Sequence, residues 1–220
     1  MMFRRHLSCM RTLLHIDCSP LGDASISRHL SSEFIKRWKE ANPGGKILRR
    51  DLNVGHIPAV EGAWVAAAFT PEESRTQAQR DLLALSDQLI EELKTADEYV
   101  FGVPMHNFGV PAVLKLWLDQ IVRVGKTFAY VDGAPTGLLK GKEARFFIAS
   151  GGVYDPGTAT ASFNFVEPYL RTIFGYIGVT DTVFLSAGGT AALIYGKIDR
   201  DTFLKRYVQK IDGWFQAAAA

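Results

Sequence analysis

Strand patterns and helix patterns alternate along nearly the whole of this 220-residue chain, and this alternation restricts the folds open to it. Short apolar runs typical of buried strands occur at residues 12–16, 46–51, 99–103, 143–149 and 182–187. Amphipathic helix patterns separate them, at residues 25–42, in a segment ending near residue 95, and at residues 111–122, 165–177 and 199–215. Such an alternation predicts an α/β fold, with a parallel sheet covered by helices on both faces.

The connections between these elements limit the strand orders that the sheet can have. Right-handed crossovers favour a doubly wound, five-stranded sheet in the order 2-1-3-4-5, with the charged strand at 46–51 near an edge. Residues 127–139 predict a hairpin, and residues 52–71 are expected to be irregular. We expect residues 1–220 to form a single domain. Within it, residues 1–10 are interpreted as either disordered or an extension ahead of a start at Met10.

Composition and charge exclude several classes of protein. The 25 Lys and Arg residues against 23 Asp and Glu leave a net charge of +2, which gives no basis for a nucleic-acid partner. No apolar run approaches the ~20 residues that span a bilayer, and the basic first ten residues lack the apolar segment of a signal peptide, so no membrane association is expected. The two cysteines, Cys9 and Cys18, are too few for a disulfide framework or a cysteine-rich zinc site. These features favour the reducing cytoplasm.

The loop after the first strand is predicted to bind a phosphate. In a doubly wound sheet, the loops after strands one, three and four gather at one edge, where ligands bind. The first of these loops brings Ser19, Gly22, Ser25 and Ser27 to the start of a helix, where free N–H groups and the helix dipole favour an anion. Ser25 alone could be only an N-cap. The three serines together favour the phosphate interpretation.

Other phosphate and hydrolase motifs are absent. Neither GxGxxG nor GxxxxGK[ST] follows the first strand, which disfavours a dinucleotide site and a P-loop. A small tyrosine phosphatase would need an arginine six residues after Cys18, where this chain has Ala24, so Cys18 is interpreted as structural. No GxSxG surrounds Ser150, so a hydrolase elbow is not supported.

The other two loops offer backbone and apolar surface instead of acid–base groups. The second loop reads Pro104-Met105-His106-Asn107-Phe108-Gly109, and the third reads Ser150-Gly151-Gly152-Val153-Tyr154. His106 has no carboxylate nearby in sequence and no evident nucleophilic partner, so we expect it to form a wall or face solvent. Gly109 favours close approach by a ligand or another chain, and the glycine pair of the third loop exposes N–H groups, although a plain turn is its alternative interpretation.

Together the loops fit a mononucleotide with a flat ring system, and noncovalent FMN fits best. The first loop would cradle the phosphate, and the other two would form walls for the ring. No side chain is expected to serve as a catalytic acid, base or nucleophile, and no metal site is expected.

With these segments in place, the chain resembles the FMN-dependent NADH-azoreductases, flavodoxin-like enzymes that are also NADH:quinone oxidoreductases. The resemblance runs from Thr12 to about Phe215. It rests on the S-x5-S-x-S pattern at 19–27, PMHNF at 104–108, SGG at 150–152 and FGYIGV at 174–179. It implies a flavodoxin-like fold.

The resemblance also implies the contact residues. Its cofactor-binding positions fall on Ser19, Ser25, Ile26, Ser27, Pro104, Met105, His106, Asn107, Phe108, Ser150, Gly151, Gly152 and Tyr154, and its substrate-lining positions on Tyr130 and Tyr176. The chain departs from the family at His106, which is usually tyrosine, at Ser150, where an arginine is common, and at Tyr154, where a histidine is often found. Residues 155–167 form a longer segment than usual, which implies different substrate access.

The implied mechanism is ping-pong. NADH or NADPH reduces the bound flavin and leaves, and a quinone or azo compound then takes its place. A flavodoxin-like electron carrier or redox sensor, without turnover of small acceptors, is the alternative; carriers are typically strongly acidic, whereas this chain is near neutral. A cofactor-free interaction module on the same fold is a third possibility, which the color of the purified protein would distinguish.

The helix at 111–122 predicts a homodimer. Its apolar residues, which surround most of its circumference, are Val113, Leu114, Leu116, Trp117, Leu118 and Ile121. One apolar stripe is enough to cover a sheet, so a second face would be exposed in a monomer unless neighbouring helices bury it. The resembled family pairs its subunits near this helix and brings the hairpin that carries Phe128 and Tyr130 toward the partner's flavin.

Overall fold

Five parallel strands form the central sheet of the computed structural model, which describes residues 10–219. The strands of the chain are β1 (Thr12–Asp17), β2 (Lys46–Asp51), β3 (Glu98–Pro104), β4 (Phe128–Val131), β5 (Ala134–Gly137), β6 (Glu143–Ser150) and β7 (Asp181–Gly188). The sheet order is β2-β1-β3-β6-β7, and β4 and β5 form a separate antiparallel hairpin. The predicted order, the edge position of β2 and the hairpin are therefore confirmed. The predictions for residues 1–9 lie outside the described residues.

Helices cover both faces of this sheet, as predicted. They are α1 (Ile26–Ala41), α2 (Gly62–Phe69), α3 (Gln77–Thr95), α4 (Ala112–Ile121), α5 (Val166–Tyr176), α6 (Ala191–Ile194) and α7 (Arg200–Ala219). Helices α1 and α7 share one hydrophobic core with the sheet, and α3, α4 and α5 share the other. Among residues 10–219, no helix combines the length and apolar character needed to cross a bilayer.

The expectation that residues 52–71 are irregular is wrong, because they contain α2. This helix is an alanine-rich apolar run, which favours helix formation but has no polar positions to mark a period. It buries Trp64 against Leu83 of α3. The inward face of α3 therefore includes Leu83. The sequence predicts instead an inward face made of Leu82, Leu85, Leu89, Ile90 and Leu93, but Leu82 is 47% exposed.

A row of phenylalanines makes the centre of the sheet rigid. Phe101, Phe146 and Phe184 are neighbours across β3, β6 and β7, with stacked rings whose centroids lie 4.9 and 4.7 Å apart. The ring of Phe174, on α5, meets the first two edge-on at 5.2 and 5.0 Å. Each such pair contributes about 0.5–1.5 kcal/mol beyond the area that it buries. The loops at the carboxyl ends of these strands therefore start from fixed points.

Candidate functional site

The loops after β1, β3 and β6 surround a cavity of about 490 Å³ at the carboxyl edge of the sheet. The predicted contact residues that line it are Ser19, Ser25, Ile26, Pro104, Met105, His106 and Gly151. Parallel strands end at the same edge, so segments about 85 and 130 residues apart along the chain meet there. The structure thus brings the three loops together where the topology predicted.

The serines of the first loop form a chain of hydroxyl groups. The Ser25 Oγ accepts a hydrogen bond from the Arg28 N–H at 3.2 Å, so Ser25 N-caps α1 and also lines the cavity. The Ser27 hydroxyl lies 3.1 Å from that of Ser25 and is fully buried behind it. When Ser27 donates to Ser25, the Ser25 hydroxyl proton is available to an acceptor in the cavity. Capping and ligand binding are therefore compatible roles for Ser25.

Two arginines hold the carbonyl groups of this loop. The Nε and Nη2 groups of Arg28 donate to the Ser19 carbonyl at 2.8 and 2.6 Å. Arg200 donates to the Asp23 and Ala24 carbonyls at 3.0 and 2.8 Å. Because these carbonyls are bonded to the arginines, the loop keeps one orientation, with the first turn of α1 and its positive dipole end at the cavity.

The second loop is a tight turn with a strained aromatic residue. The N–H groups of His106 and Gly109 each donate to the carbonyl of the other at 3.0 Å. Between them, Asn107 and Phe108 have φ values of 48° and 69°, the left-handed conformation of a type I′ turn. Asparagine tolerates this conformation, but a bulky residue there costs about 1–3 kcal/mol. Such strain persists where the surroundings fix the residue.

The segment of residues 155–167 packs against this strained turn. The Phe165 N–H donates to the Phe108 carbonyl at 3.1 Å. The Phe108 ring contacts those of Tyr154 and Phe163, with centroids 6.0 and 5.4 Å away. Phe108, Phe163 and Phe165 remain 45–60% exposed. Together they form an aromatic surface beside the second loop.

The carbonyls of the third loop are bonded to the segment that follows β7. The carbonyls of Ser150, Gly151 and Gly152 accept hydrogen bonds from the amides of residues 189–191 at 2.9–3.2 Å. A Cβ at Gly152 would lie 2.7 Å from the Tyr154 hydroxyl, so a side chain there would require the Tyr154 ring to move. A Cβ at Gly151 would meet nothing within 4 Å, and its side chain would enter open space at the cavity wall. The Ser150 hydroxyl donates to the Gly152 carbonyl at 2.9 Å and does not line the cavity.

A fourth wall, between β7 and α7, was not predicted. Thr190, Leu193, Ile194 and Arg200 line the cavity from this segment. Leu21, Ala24 and Ala149, close to predicted positions, complete the lining. The sequence carries a signal for this wall, because the pair Gly188-Gly189 lies at the end of the last strand, much as Gly151-Gly152 follows β6.

Tyr130 and Tyr176 lie at the opposite end of the sheet. The β4–β5 hairpin follows the last turn of α4, and Tyr176 ends α5, so both lie near the amino ends of the strands. The Phe128 ring joins them, 5.8 Å from the Tyr130 ring and 4.8 Å from the Tyr176 ring. The two tyrosines therefore meet each other but line no part of their own chain's cavity.

The apolar surplus of α4 is largely buried within the chain. Leu114, Trp117, Leu118 and Ile121 are at most 1% exposed, in the core shared with α3 and α5. Neighbouring helices thus bury most of the residues that were expected to form a second, exposed face. Leu118 is one of these buried residues, so it is not available for contact with a partner subunit. Val113 and Leu116 remain partly exposed.

Reactive and metal-binding groups are scarce at the site. Cys18 is fully buried, and burial raises the pKa of its thiol well above the usual value, so the thiol stays protonated. This agrees with its interpretation as structural. Within residues 10–219, no cluster of three His, Cys, Asp or Glu side chains could hold a metal ion. Of the residues that line the cavity, only His106 and Arg200 have ionisable side chains.

Known proteins match both the sequence and the fold. A family described as having a flavodoxin-like fold matches residues 11–212. The FMN-dependent NADH:quinone oxidoreductase of Acidobacterium capsulatum is 52% identical over 92% of this chain and 98% of its own. FMN-dependent NADH:quinone oxidoreductase 3 of Burkholderia lata is 48% identical over 94% and 100%. The FMN-dependent NADH-azoreductase of Bacillus anthracis str. Ames Ancestor, solved in complex with FMN, superposes with a TM-score of 0.83 at 24% identity, covering 96% of this chain and 100% of that one.

Proposed function

The chain belongs to the flavodoxin-like family of FMN-dependent NADH:quinone oxidoreductases, and from that membership we propose a cytoplasmic homodimer that reduces quinones and azo compounds by a ping-pong mechanism. The cofactor is noncovalent FMN and the electron donor NADH, with NADPH as the alternative donor. The observation that carries the proposal is the cavity at the carboxyl edge of the sheet, which combines a serine-capped helix start with backbone-rich walls and has no carboxylate in its lining.

The residues present fit FMN. At the phosphate end, Ser25 has a hydroxyl proton to donate when Ser27 donates to it, and the first turn of α1 offers amides and a positive dipole. At the ring end, Gly151 leaves the backbone open to a flat group, while Met105 supplies apolar surface. When bound, the flavin accepts a hydride from the nicotinamide and passes two electrons to the acceptor. The protein binds the flavin, orients it and shields it from solvent.

The ping-pong order follows from a single stacking place. The aromatic surface formed by Phe108, Phe163 and Phe165 lies beside the second loop, which itself lines the cavity, and flat donors and acceptors need the same kind of contact. Donor and acceptor then occupy the place in turn. The cavity lining contains no carboxylate, so the chain supplies no evident acid–base pair at this place.

The test begins with the flavin. Protein denatured after purification should release FMN, identified by its spectrum and by chromatography. Initial rates with NADH and a benzoquinone, and no protein partner, should give parallel double-reciprocal lines. Recovery of FAD, or of no flavin after reconstitution, would contradict FMN binding. Intersecting lines would contradict the shared stacking place, and a lack of turnover with small acceptors would favour the electron carrier.

The homodimer is supported by the position of Tyr130. This residue is 64% exposed, and the neighbouring Val131 and Leu138 are 51% and 45% exposed, on a hairpin remote from the chain's own cavity. Only a second subunit can bring such residues to a flavin. The subunit that contributes Tyr130 would thus complete the acceptor site of the other.

Mixed dimers test this arrangement directly. The double variant Ser25→Ala/Ser27→Ala has a weakened flavin affinity and, at limiting FMN, little bound flavin, but it keeps Tyr130, whereas the variant Tyr130→Ala keeps the flavin loop. If Tyr130 acts across the interface, mixing and re-forming dimers should restore activity above that of either variant alone. Phe69→Ala is a matched control, because it also removes an exposed aromatic side chain. A fully active protein that sediments as a monomer at micromolar concentration would overturn the dimer.

A further inference from the structure

We propose that Arg200 makes the site selective for a flavin that carries a phosphate ester, so that FMN is bound in preference to riboflavin. The inference rests on the proposed FMN function and assigns one determinant of that specificity. Arg200 lies outside all three predicted loops, at the start of α7. It contacts Ala24, which is 176 positions away in the sequence.

The Arg200 guanidinium is fixed in position at the phosphate end of the cavity. It donates to the carbonyls of Ala24, Asp23 and Ser25 at 2.8, 3.0 and 3.4 Å, and Arg200 is itself part of the cavity lining. Those three residues immediately precede α1, where the Ser25 hydroxyl and the first amides of the helix lie. A planar guanidinium has five donors, so these contacts leave part of it available.

The charge of Arg200 is not neutralised by an ion pair. Among the described residues, no carboxylate oxygen lies within 4.0 Å of it, and its protein acceptors are neutral carbonyls. The nearest acid in sequence on one side, Asp199, accepts a hydrogen bond from the Thr202 N–H at 2.9 Å. Asp201 and Asp23 are exposed to solvent.

Arg28, the other arginine that holds this loop, shows the contrast. Its Nη1 lies 2.7 Å from the Asp51 carboxylate and 3.6 Å from that of Asp17. Two acids therefore offset its charge, and Arg28 serves to orient the loop. Arg200 alone adds a net positive charge to the cavity wall, next to a helix start that already favours anions. A phosphate ester gains from that charge, whereas the uncharged end of riboflavin does not.

A competition experiment on the holoenzyme measures this selectivity. The FMN-loaded protein is equilibrated with a graded excess of riboflavin, separated from free flavin, and the two bound flavins are quantified by chromatography. Arg200→Gln should lower the ratio of FMN to riboflavin affinity by about 10- to 100-fold, the range for one charge-assisted hydrogen bond. Arg200→Lys, which keeps the charge, should recover part of the loss.

Arg206→Gln is the matched control, because it removes an arginine from the same helix at a position that does not line the cavity. It should leave the ratio unchanged. A ratio in Arg200→Gln within about twofold of the parent would overturn the inference, and so would equal weakening of both flavins, which would reduce Arg200 to a support for the loop. Failure of the parent protein to retain FMN would refute the proposed function instead.

Discussion

The two ends of the sheet hold cavities of nearly equal volume, about 490 Å³ at the carboxyl end and about 480 Å³ at the amino end. At the amino end, the buried Glu98 carboxylate accepts hydrogen bonds from the Trp38 indole at 2.8 Å and the Arg145 guanidinium at 2.9 Å. Arg11 and Glu143 complete this cluster with an ion pair at 3.1 Å. The cluster contains two arginines and two glutamates, so its positive and negative charges balance.

The carboxyl end has the opposite arrangement. There the carbonyls of the first loop are bonded to two arginines, and the cavity keeps the first amides of α1, the Ser25 hydroxyl and the unbalanced charge of Arg200. Polar groups that satisfy one another hold a fold together, whereas polar groups without protein partners are available to a ligand. The two cavities therefore cannot be distinguished by volume. They differ in whether the polar groups around them already have hydrogen-bond partners within the protein.

The largest effect is expected from breaking the amino-end cluster. Glu98→Ala leaves the Trp38 indole and Arg145 without their buried partner, so it should lower the free energy of unfolding by about 3–5 kcal/mol. Denaturant unfolding measures this loss. The fraction of folded protein that carries FMN should not change, and a selective loss of FMN would contradict the separation of the two ends.

Glu98→Gln sharpens the same test. Burial raises the pKa of the Glu98 carboxyl, and Arg145 opposes this effect. When folding raises the pKa of a carboxyl, that group stabilises the folded state at pH values below its pKa in the unfolded chain. This contribution to the free energy of unfolding is lost as the pH rises through the higher pKa of the folded state. The parent protein should therefore lose stability relative to Glu98→Gln as the pH rises across that interval. A difference that stays constant with pH would contradict the direction of the shift.

The next effect comes from the carboxyl end, through Ser25→Ala with Ser27→Ala. Because the two hydroxyls act as one chain, the pair of substitutions should weaken FMN binding by about 1.5–3 kcal/mol, less than the sum of the single effects. Loss of the N-cap should cost stability by only ~1 kcal/mol. Flavin titration and denaturant unfolding separate the two quantities, and an unchanged flavin affinity in folded protein would leave Ser25 as a cap alone.

The smallest effect on stability is expected at the strained turn. Phe108→Gly relieves about 1–3 kcal/mol of backbone strain but removes ring contacts worth about 0.5–1.5 kcal/mol each, so the net change should lie within about 1 kcal/mol of zero. The KM for a quinone should nevertheless rise. Phe163→Ala is the control that removes a ring without relieving strain, and it should only destabilise. A stability loss in Phe108→Gly as large as that of a core variant would show that the turn is not strained.

Much of the site could be predicted because its parts are local in sequence. The serines at 19–27 and the turn at 104–109 each lie within one loop, and a parallel sheet brings such loops to one edge. The turn's left-handed Phe108 could not be predicted, since no glycine marks that position. Leu82 was misplaced because the inward face of α3 depends on α2, whose pattern has no helical period.

The sequence by itself determined the strand order and the three loops, because residue periodicity and strand–loop boundaries are properties of neighbouring residues. Only the tertiary structure decided which groups those elements meet. Arg200 reaches the first loop from α7, Leu118 is buried by other helices, and Tyr130 lies at the end of the sheet away from its own cavity. These are contacts between distant segments, and an amphipathic pattern specifies that a face will be covered without specifying by which part of the chain.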